Sequence, residues 1–341
     1  MVSRPRACPG RIIYAGFATA HHSGGVHVMT QHVRLLRERG HEAWLWLPDP
    51  ADRTDWIADD VPMVFGATTP IGADDLLVVP ETPTVHGRDP APGGRKVIFN
   101  QNHFYTFAAG APGDDFPGWA PAPAMWVVST ESRDVLAAVL PGLPVSVVPN
   151  PVDGELFAPV TTEQVRVSWF PRKRPREASL LKRLLAGDSR LAGVDLVELI
   201  HTPRAEVAAT LAASAIFVAL GHTESFGLPV AEALASGSLV VGYDGGGGHE
   251  LFEAPGAWRV PDQRPLLLRD QVVDLVQNIE ALSAVRAANR LWVLDRYTFA
   301  RTGAALEEAV AAARVRPGSD AVAVHPAAWL DTLGPHFTAY A

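Results

Sequence analysis

One cysteine, Cys8, stands in a chain of 341 residues, so no disulfide can form within the chain. That suits a reducing compartment, and a cytoplasmic location is the expectation. No run approaches the ~18 consecutive apolar residues of a membrane span. Residues 1–10 (MVSRPRACPG) lack the apolar stretch of a signal peptide. Positive charge is scarce: 29 Lys and Arg against 37 Asp and Glu leave a formal charge of −8, which argues against a nucleic-acid partner. A local basic patch against a membrane stays open. There is no internal repeat. No G-x-G-x-x-G follows the first strand-like run, so the usual fingerprint of a nicotinamide-dependent dehydrogenase is missing.

What is present is length and apolar content enough for two cores, with 48% apolar and 19% charged residues. Arg11–Phe17 reads as a strand and Val26–Arg39 as a helix with Val26, Met29, Val33 and Leu36 on one face. Gly40 stands where a helix C-terminus is expected. Glu42–Leu47, Leu76–Val79, Val97–Asn100 and Met125–Ser129 are further short apolar runs. Val145–Pro159 (VSVVPNPVDGELFAP) breaks the rhythm and reads as a connection between domains. The alternation restarts with strands at Val165–Phe170, Val194–Ile200, Ala215–Leu220 and Leu239–Tyr243, and helices at Arg176–Ala186 and Arg204–Ala213. Much of Leu266–Arg314 is helical, and the last 25 or so residues read as a tail. Strands alternating with helices imply parallel sheets covered on both faces. The expected domains are 1–152, 153–295 and a C-terminal helix, 296–341, crossing back to the first domain. Ligands of such sheets bind outside the carboxyl ends of the strands, here in a cleft between the two domains.

The segment 221–237, GHTESFGLPVAEALASG, carries the most chemistry. Glu224 ends a strand, a helix opens near Gly227 with Pro229 in its first turn, and Glu232 lies inside that helix. The N–H groups of Phe226, Gly227 and Leu228 have no intrahelical acceptors, and with the helix dipole they favour a phosphate. Glu232 lies roughly 7–8 Å further along, a distance that suits a ribose joined to that phosphate. Two glutamates so spaced are common by chance, so the pair alone says little; the whole string says more.

ESFGLPVAEALASG resembles the E-x7-E motif of the retaining glycosyltransferases of family 4 (glycosyl transferases group 1). VVGYDGGGGHELF is similar to that family's following "PVV…GG..E", VVPNPVDGELFAP to its interdomain "PNGVD...F.P", and GGVHVMTQHVRLLRERGHEAWLWLP to its first-domain "GG...H...LA..L..RGHEV". The elements come in the family's order and cover most of residues 11–310. The resemblance implies an α/β chain of the GT-B fold, two Rossmann-like doubly wound domains facing each other across a cleft. It implies no resident cofactor and no metal, with a nucleoside diphosphate sugar, UDP or GDP, as co-substrate.

By that resemblance Glu224 contacts donor-sugar hydroxyls, Glu232 binds the ribose, and the amides of Ser225, Phe226, Gly227 and Leu228 hold the diphosphate. Gly24 and Gly25 form a first-domain loop approaching the same phosphates, and His103 lies near the reaction centre. The family's cations on the leaving diphosphate fall on Arg172 and Lys173; here they are contiguous with Arg174, so the individual roles stay open. Cations there stabilise charge that grows as the glycosidic bond breaks. Asn100, Gln101 and Asn102 are equally able to bind hydroxyls. Glu81 and Asn102 are candidates for the acceptor side, Glu81 as taker of a hydroxyl proton. Glu250 is expected to fix the Gly245–Gly248 loop. No Asp-x-Asp occurs in the chain, which favours metal-independent front-face transfer. The acceptor is a glycan, a lipid-linked saccharide or a small molecule. Val26–Arg39, with Arg34, Arg37, Arg39 and His41, either meets a lipid-linked acceptor at the inner membrane face or is a solvated surface. A sugar-nucleotide epimerase and a non-catalytic nucleotide-sugar-binding partner subunit are the alternatives.

Overall fold

The computed structural model describes residues 10–17, 23–54, 56–57, 60–82, 88–107 and 116–327. The chain divides into two compact units. The first comprises residues up to Val128, Arg133–Val148 and the chain from Gly303 on; the second comprises Ser129–Ser132 and Pro149–Thr302.

The first unit holds β1 (Ile12–Ala15), α1 (Gly24–Glu38), β2 (Ala43–Leu47), β3 (Met63–Phe65), β4 (Thr68–Ile71), β5 (Leu76–Pro80), β6 (Lys96–Asn100) and β7 (Ala124–Val127), most of α2 (Thr130–Val139), and β8 (Val145–Val147). Seven of these strands form one sheet in the order β3-β2-β1-β5-β6-β7-β8, with every pairing parallel. β5 (LLVVP) is buried throughout, as a strand covered on both faces must be. α1 buries Val26, Met29, Val33 and Leu36 as its periodicity predicts. Its arginines are used within the unit. Arg34 pairs with Asp60 at 2.7 Å. Arg37 lies over the Trp44 ring and donates to the Ala43 carbonyl. Arg39 lies 3.6 Å from Glu307 and donates to the Leu35 carbonyl.

The second unit holds β9 (Arg166–Trp169), α3 (Pro175–Ala186), β10 (Asp195–Glu198), α4 (Arg204–Ala212), β11 (Ile216–Glu224), α5 (Leu228–Ala235), β12 (Leu239–Gly246), β13 (Ala257–Arg259), α6 (Pro265–Gln277) and α7 (Ser283–Arg296). It ends within α8 (Phe299–Arg314). Its sheet runs β10-β9-β11-β12-β13, again all parallel. Val167, Trp169, Ile216, Val218, Leu239 and Val241 meet α3 and α6 residues such as Leu181 and Leu268 in its core. Among the described residues no helix is long and apolar enough to cross a membrane.

Both sheets reverse direction once. The first grows from β1 to β2 and β3 on one side and to β5 on the other. The second grows from β9 to β10 on one side and to β11 on the other. Loops leaving the carboxyl ends of the two central strands then part to opposite faces and leave an opening at the reversal.

One expectation is corrected. The residues read as a tail include β14 (Ala321–Val324), which pairs antiparallel with β4, Ala323 opposite Thr69. The four-residue run is too short to announce itself, and its burial comes from the partner strand. β6 ends at Asn100, where the apolar run Val97–Asn100 ends, and a 3₁₀ turn, His103–Phe107, follows.

Arg290 of α7 binds the interdomain sequence to the second unit. Its guanidinium donates to the carbonyls of Gly154 (2.7 Å), Phe157 (2.7 Å) and Ala235 (2.5 Å), the last at the C-terminus of α5. Arg290→Ala leaves three carbonyls to find other donors. The expected loss is about 2–4 kcal/mol, read as a lower denaturant midpoint with an unchanged slope.

Candidate functional site

In the second unit the sequence-predicted residues gather at the reversal. β9 ends at Trp169 and the chain continues through Arg172, Lys173 and Arg174 into α3. β11 ends at Glu224 and continues through Ser225–Gly227 into α5. The Lys173 ammonium lies 2.6 Å from Glu224 Oε1 and donates to the His222 carbonyl at 3.3 Å. The first glutamate of the motif is therefore held by one of the cations.

The three contiguous cations differ sharply in their partners. Arg174 donates to the Gly221 carbonyl (2.8 Å), Glu177 (3.1 Å) and Asp262 (2.6 Å) and lies over the Tyr243 ring. Its side chain is only 10% exposed. It braces the strand ends and does not stand in for its neighbours. Arg172 is exposed and, among the described residues, has no ion-pair or hydrogen-bond partner. It is the guanidinium left available to an anion.

Gly227, at φ +91, precedes α5, and no side chain caps that helix end. The left-handed backbone there needs a glycine. Val230 N–H donates to the Gly227 carbonyl, while the N–H groups before it point off the helix end, where an anion fits. The side chains of Ser225 and Phe226 are buried, and Phe226 stacks edge-on against Tyr297. What these two residues can offer a ligand is backbone.

Glu232 is 7% exposed and accepts from Arg204 Nη1 at 3.0 Å. Burial pushes its carboxyl up to about 6, against the pull of Arg204. Arg204, at the start of α4, also lies over the Phe157 ring. Sequence reasoning missed Arg204 because it belongs to no motif.

The glycine run was read as a loop. In fact Gly245 and Gly246 end β12, and Gly246 stands in register with Glu224. A Cβ on Gly245, at φ +72, would come within 2.8 Å of Glu224 Cγ. The missing side chain is what leaves room for Glu224. Beside Gly246 an open recess of about 520 Å³ is lined by Asp244, Arg259, Val260, Pro261 and Asp262. Glu250 accepts from the Tyr297 hydroxyl at 3.3 Å.

The first unit brings its own candidates together. Gly24 and Gly25 are the first residues of α1, capped by Ser23, and are not a free loop as expected. Residues 18–22, which precede them, lie outside the described residues. A Cβ on Gly25 would sit 3.2 Å from the Gln101 side chain. Asn100 is fully buried and donates to Thr106 Oγ1 at 2.5 Å, which takes it out of contention for hydroxyls. Asn102 Oδ1 accepts from Phe104 N–H at 3.1 Å and starts the 3₁₀ turn. His103 is 4% exposed and packs against Phe104. Burial lowers its imidazole to about 4, so near pH 7 it is neutral. Glu81 is also 4% exposed and its Oε2 accepts from Gln101 N–H at 3.2 Å. A carboxylate so enclosed serves the chain's own amides.

Residues 193–290 match the family described as glycosyl transferases group 1. An alpha-1,6-glucosyltransferase of Actinobacillus pleuropneumoniae serotype 7 (strain AP76) is 26% identical over 243 residues, covering 68% of this chain and 72% of that protein. Among solved structures, the sucrose-phosphate synthase of Thermosynechococcus elongatus superposes with a TM-score of 0.64 at 14% identity, over 88% of this chain and 98% of that one. Alr3699/HepE of Anabaena, solved in complex with UDP-glucose, gives 0.64 at 14% identity, over 89% and 99%.

Two predictions follow from the second unit's geometry. Gly245→Ala meets both an unfavourable φ and the Glu224 side chain, and is expected to cost about 1–3 kcal/mol in chemical denaturation. Glu232 keeps its proton in the folded chain up to about pH 6, against 4.5 for the free carboxyl. The folded state therefore binds more protons across that interval, and this group's contribution to stability falls as pH rises from 4.5 to 6. Glu232→Gln removes that contribution. Its stability relative to the parent chain should shift in the variant's favour across the same interval, read by urea unfolding at each pH.

The strand orders, the matched domain over residues 193–290 and the glucosyltransferase relative together support a glycosyltransferase built on the GT-B fold.

Proposed function

We propose that the chain is a retaining glycosyltransferase that moves a sugar from a nucleoside diphosphate donor to a hydroxyl acceptor without a metal. The observation that carries this reading is local. At the strand-order reversal of the second sheet, Arg172 (without a partner among the described residues), the Lys173–Glu224 pair and the uncapped end of α5 meet. A diphosphate at the end of α5 gains from the free N–H groups and from Arg172. Glu224 beside it accepts from sugar hydroxyls, and Glu232, further along α5, accepts from the ribose.

In the reaction the bond from the sugar's anomeric carbon to the diphosphate oxygen breaks as the acceptor oxygen bonds to the same carbon on the same face. The acceptor's proton passes to the departing phosphate oxygen. Charge grows on the diphosphate as the carbon takes on oxocarbenium character, and a guanidinium aimed there lowers the barrier. No covalent enzyme intermediate is needed. The lack of an Asp-x-Asp sequence and the presence of Arg172 and Lys173 favour cationic side chains as the counter-charge. Neutral His103 suits a hydrogen bond to a sugar hydroxyl.

UDP is the nucleotide we favour, because Alr3699/HepE was solved with UDP-glucose; GDP stays in the comparison. A hexose fits the glucosyltransferase relative. A glycan or lipid-linked saccharide is the acceptor class proposed. The reaction is placed in the cytoplasm, either free or at the inner membrane face.

A thermal-shift series with UDP, GDP, ADP and dTDP should single out the donor nucleotide. With that donor, Glu224→Ala and Arg172→Ala are each expected to lower kcat by about 10²–10³, while both variants keep the parent's circular dichroism. Glu232→Ala should act mainly on the donor KM. Near-parental kcat in both Glu224→Ala and Arg172→Ala sinks the assignment. Product analysis with and without acceptor separates transfer from epimerisation.

A further inference from the structure

Glu81 is the buried carboxylate for which the transfer chemistry has no use. It follows β5 directly. Since Pro80 pairs with Phe99, it stands beside Asn100 at the end of β6. Its carboxylate reaches one residue further, accepting from Gln101 N–H at 3.2 Å, and the Asn102 N–H and its own N–H also stabilise it. Gln101 in turn lies against Gly25 at the start of α1. β1 leads into α1, and β5 and β6 are the next strands across the sheet. Glu81 therefore joins the ends of β5 and β6, and Gln101 carries that contact on to α1.

We propose that Glu81 is a positioning residue. By accepting the backbone N–H groups of Gln101 and Asn102, it sets the 100–103 corner that presents His103. This rests on the reading of His103 as a residue facing the sugar. Two physical points favour an ionised carboxylate in this role over a mere packing group. Burying the charge is costly, and the backbone amides of Gln101, Asn102 and Glu81 itself offset part of that cost. A carboxylate also has acceptor sites enough for several N–H groups, whereas a protonated carboxyl or an amide gives up one oxygen's worth of them.

The same burial pushes the Glu81 carboxyl up to about 7. Protonation then releases an amide and loosens the corner near neutral pH. Two imidazoles of the flanking elements do not share that interval: burial holds His32 of α1 at about 3 and His103 at about 4.

The test is the pH dependence of kcat in the parent chain and in Glu81→Gln, at saturating donor. The parent's kcat should rise through about pH 7 as Glu81 ionises. Glu81→Gln should be lower by about tenfold and flat over that interval, with the donor KM within about twofold because the proposed diphosphate and ribose contacts lie in the second unit. A variant with the parental kcat and the parental pH profile overturns the proposal, as does one that is slower but keeps the rise. Hydrogen exchange of the Gln101 and Asn102 amides in the parent chain decides the matter if Glu81→Gln does not fold. Corrected for intrinsic rates, their protection should increase from pH 6 to pH 8 as the raised carboxyl ionises. Constant protection overturns it. If the parent chain turns over no nucleotide sugar, the transferase reading fails, and the exchange measurement still decides the role of Glu81.

Discussion

The second sheet changes direction between β9 and β11, and each side chain of the candidate donor site owes its place to that change. Parallel strands release their loops at the same edge. Where neighbouring strands send their helices to opposite faces, the loops separate and the edge opens. Arg172 and Lys173 leave β9 on one side of that opening, and Glu224 and the end of α5 leave β11 on the other. The ion pair between Lys173 and Glu224 spans it at 2.6 Å. Both side chains are partly exposed, and the pair sets the direction of a carboxylate.

Holding Glu224 there requires space that ordinary side chains would take. Gly245 is the clearest case, because its Cβ would overlap the Glu224 stem. Arg174 supplies the complementary rigidity, with three acceptors and an aromatic face closing around it. The site is thus built by one residue that must be absent in bulk and one that must be fully engaged. Arg172, with no partner among the described residues, keeps its charge for a ligand. The first unit repeats the logic without a cation: Glu81 uses backbone amides to shape a corner, and burial keeps His103 neutral.

Local rules carried far in this chain. Periodicity located α1 and its buried face, and the Gly-Leu-Pro wording located the start of α5 within a residue. They failed where burial is imposed from a distance. β14 is a four-residue strand whose partner lies some 250 residues earlier in sequence. Gly245 and Gly246 belong to β12 only because Glu224 pairs beside them. Polar residues after β6 looked interchangeable, yet Asn100 turned inward to Thr106 while Asn102 capped a turn.

The sequence by itself determined the alternation of strands and helices, the order of the domains and the placing of Glu224, Gly227 and Glu232 on one strand–turn–helix. All of these follow from hydrophobic period and turn chemistry within a few residues. Only the tertiary structure decided which partners each cation has. Arg172, Lys173 and Arg174 are adjacent and chemically alike, and nothing local separates them. Their partners come from β11, β12 and the chain after β13, brought to one edge by the sheet. Arg204 beside Glu232 and Gln101 beside Glu81 are decided in the same way, because a buried carboxylate is satisfied by whatever donor folding places next to it.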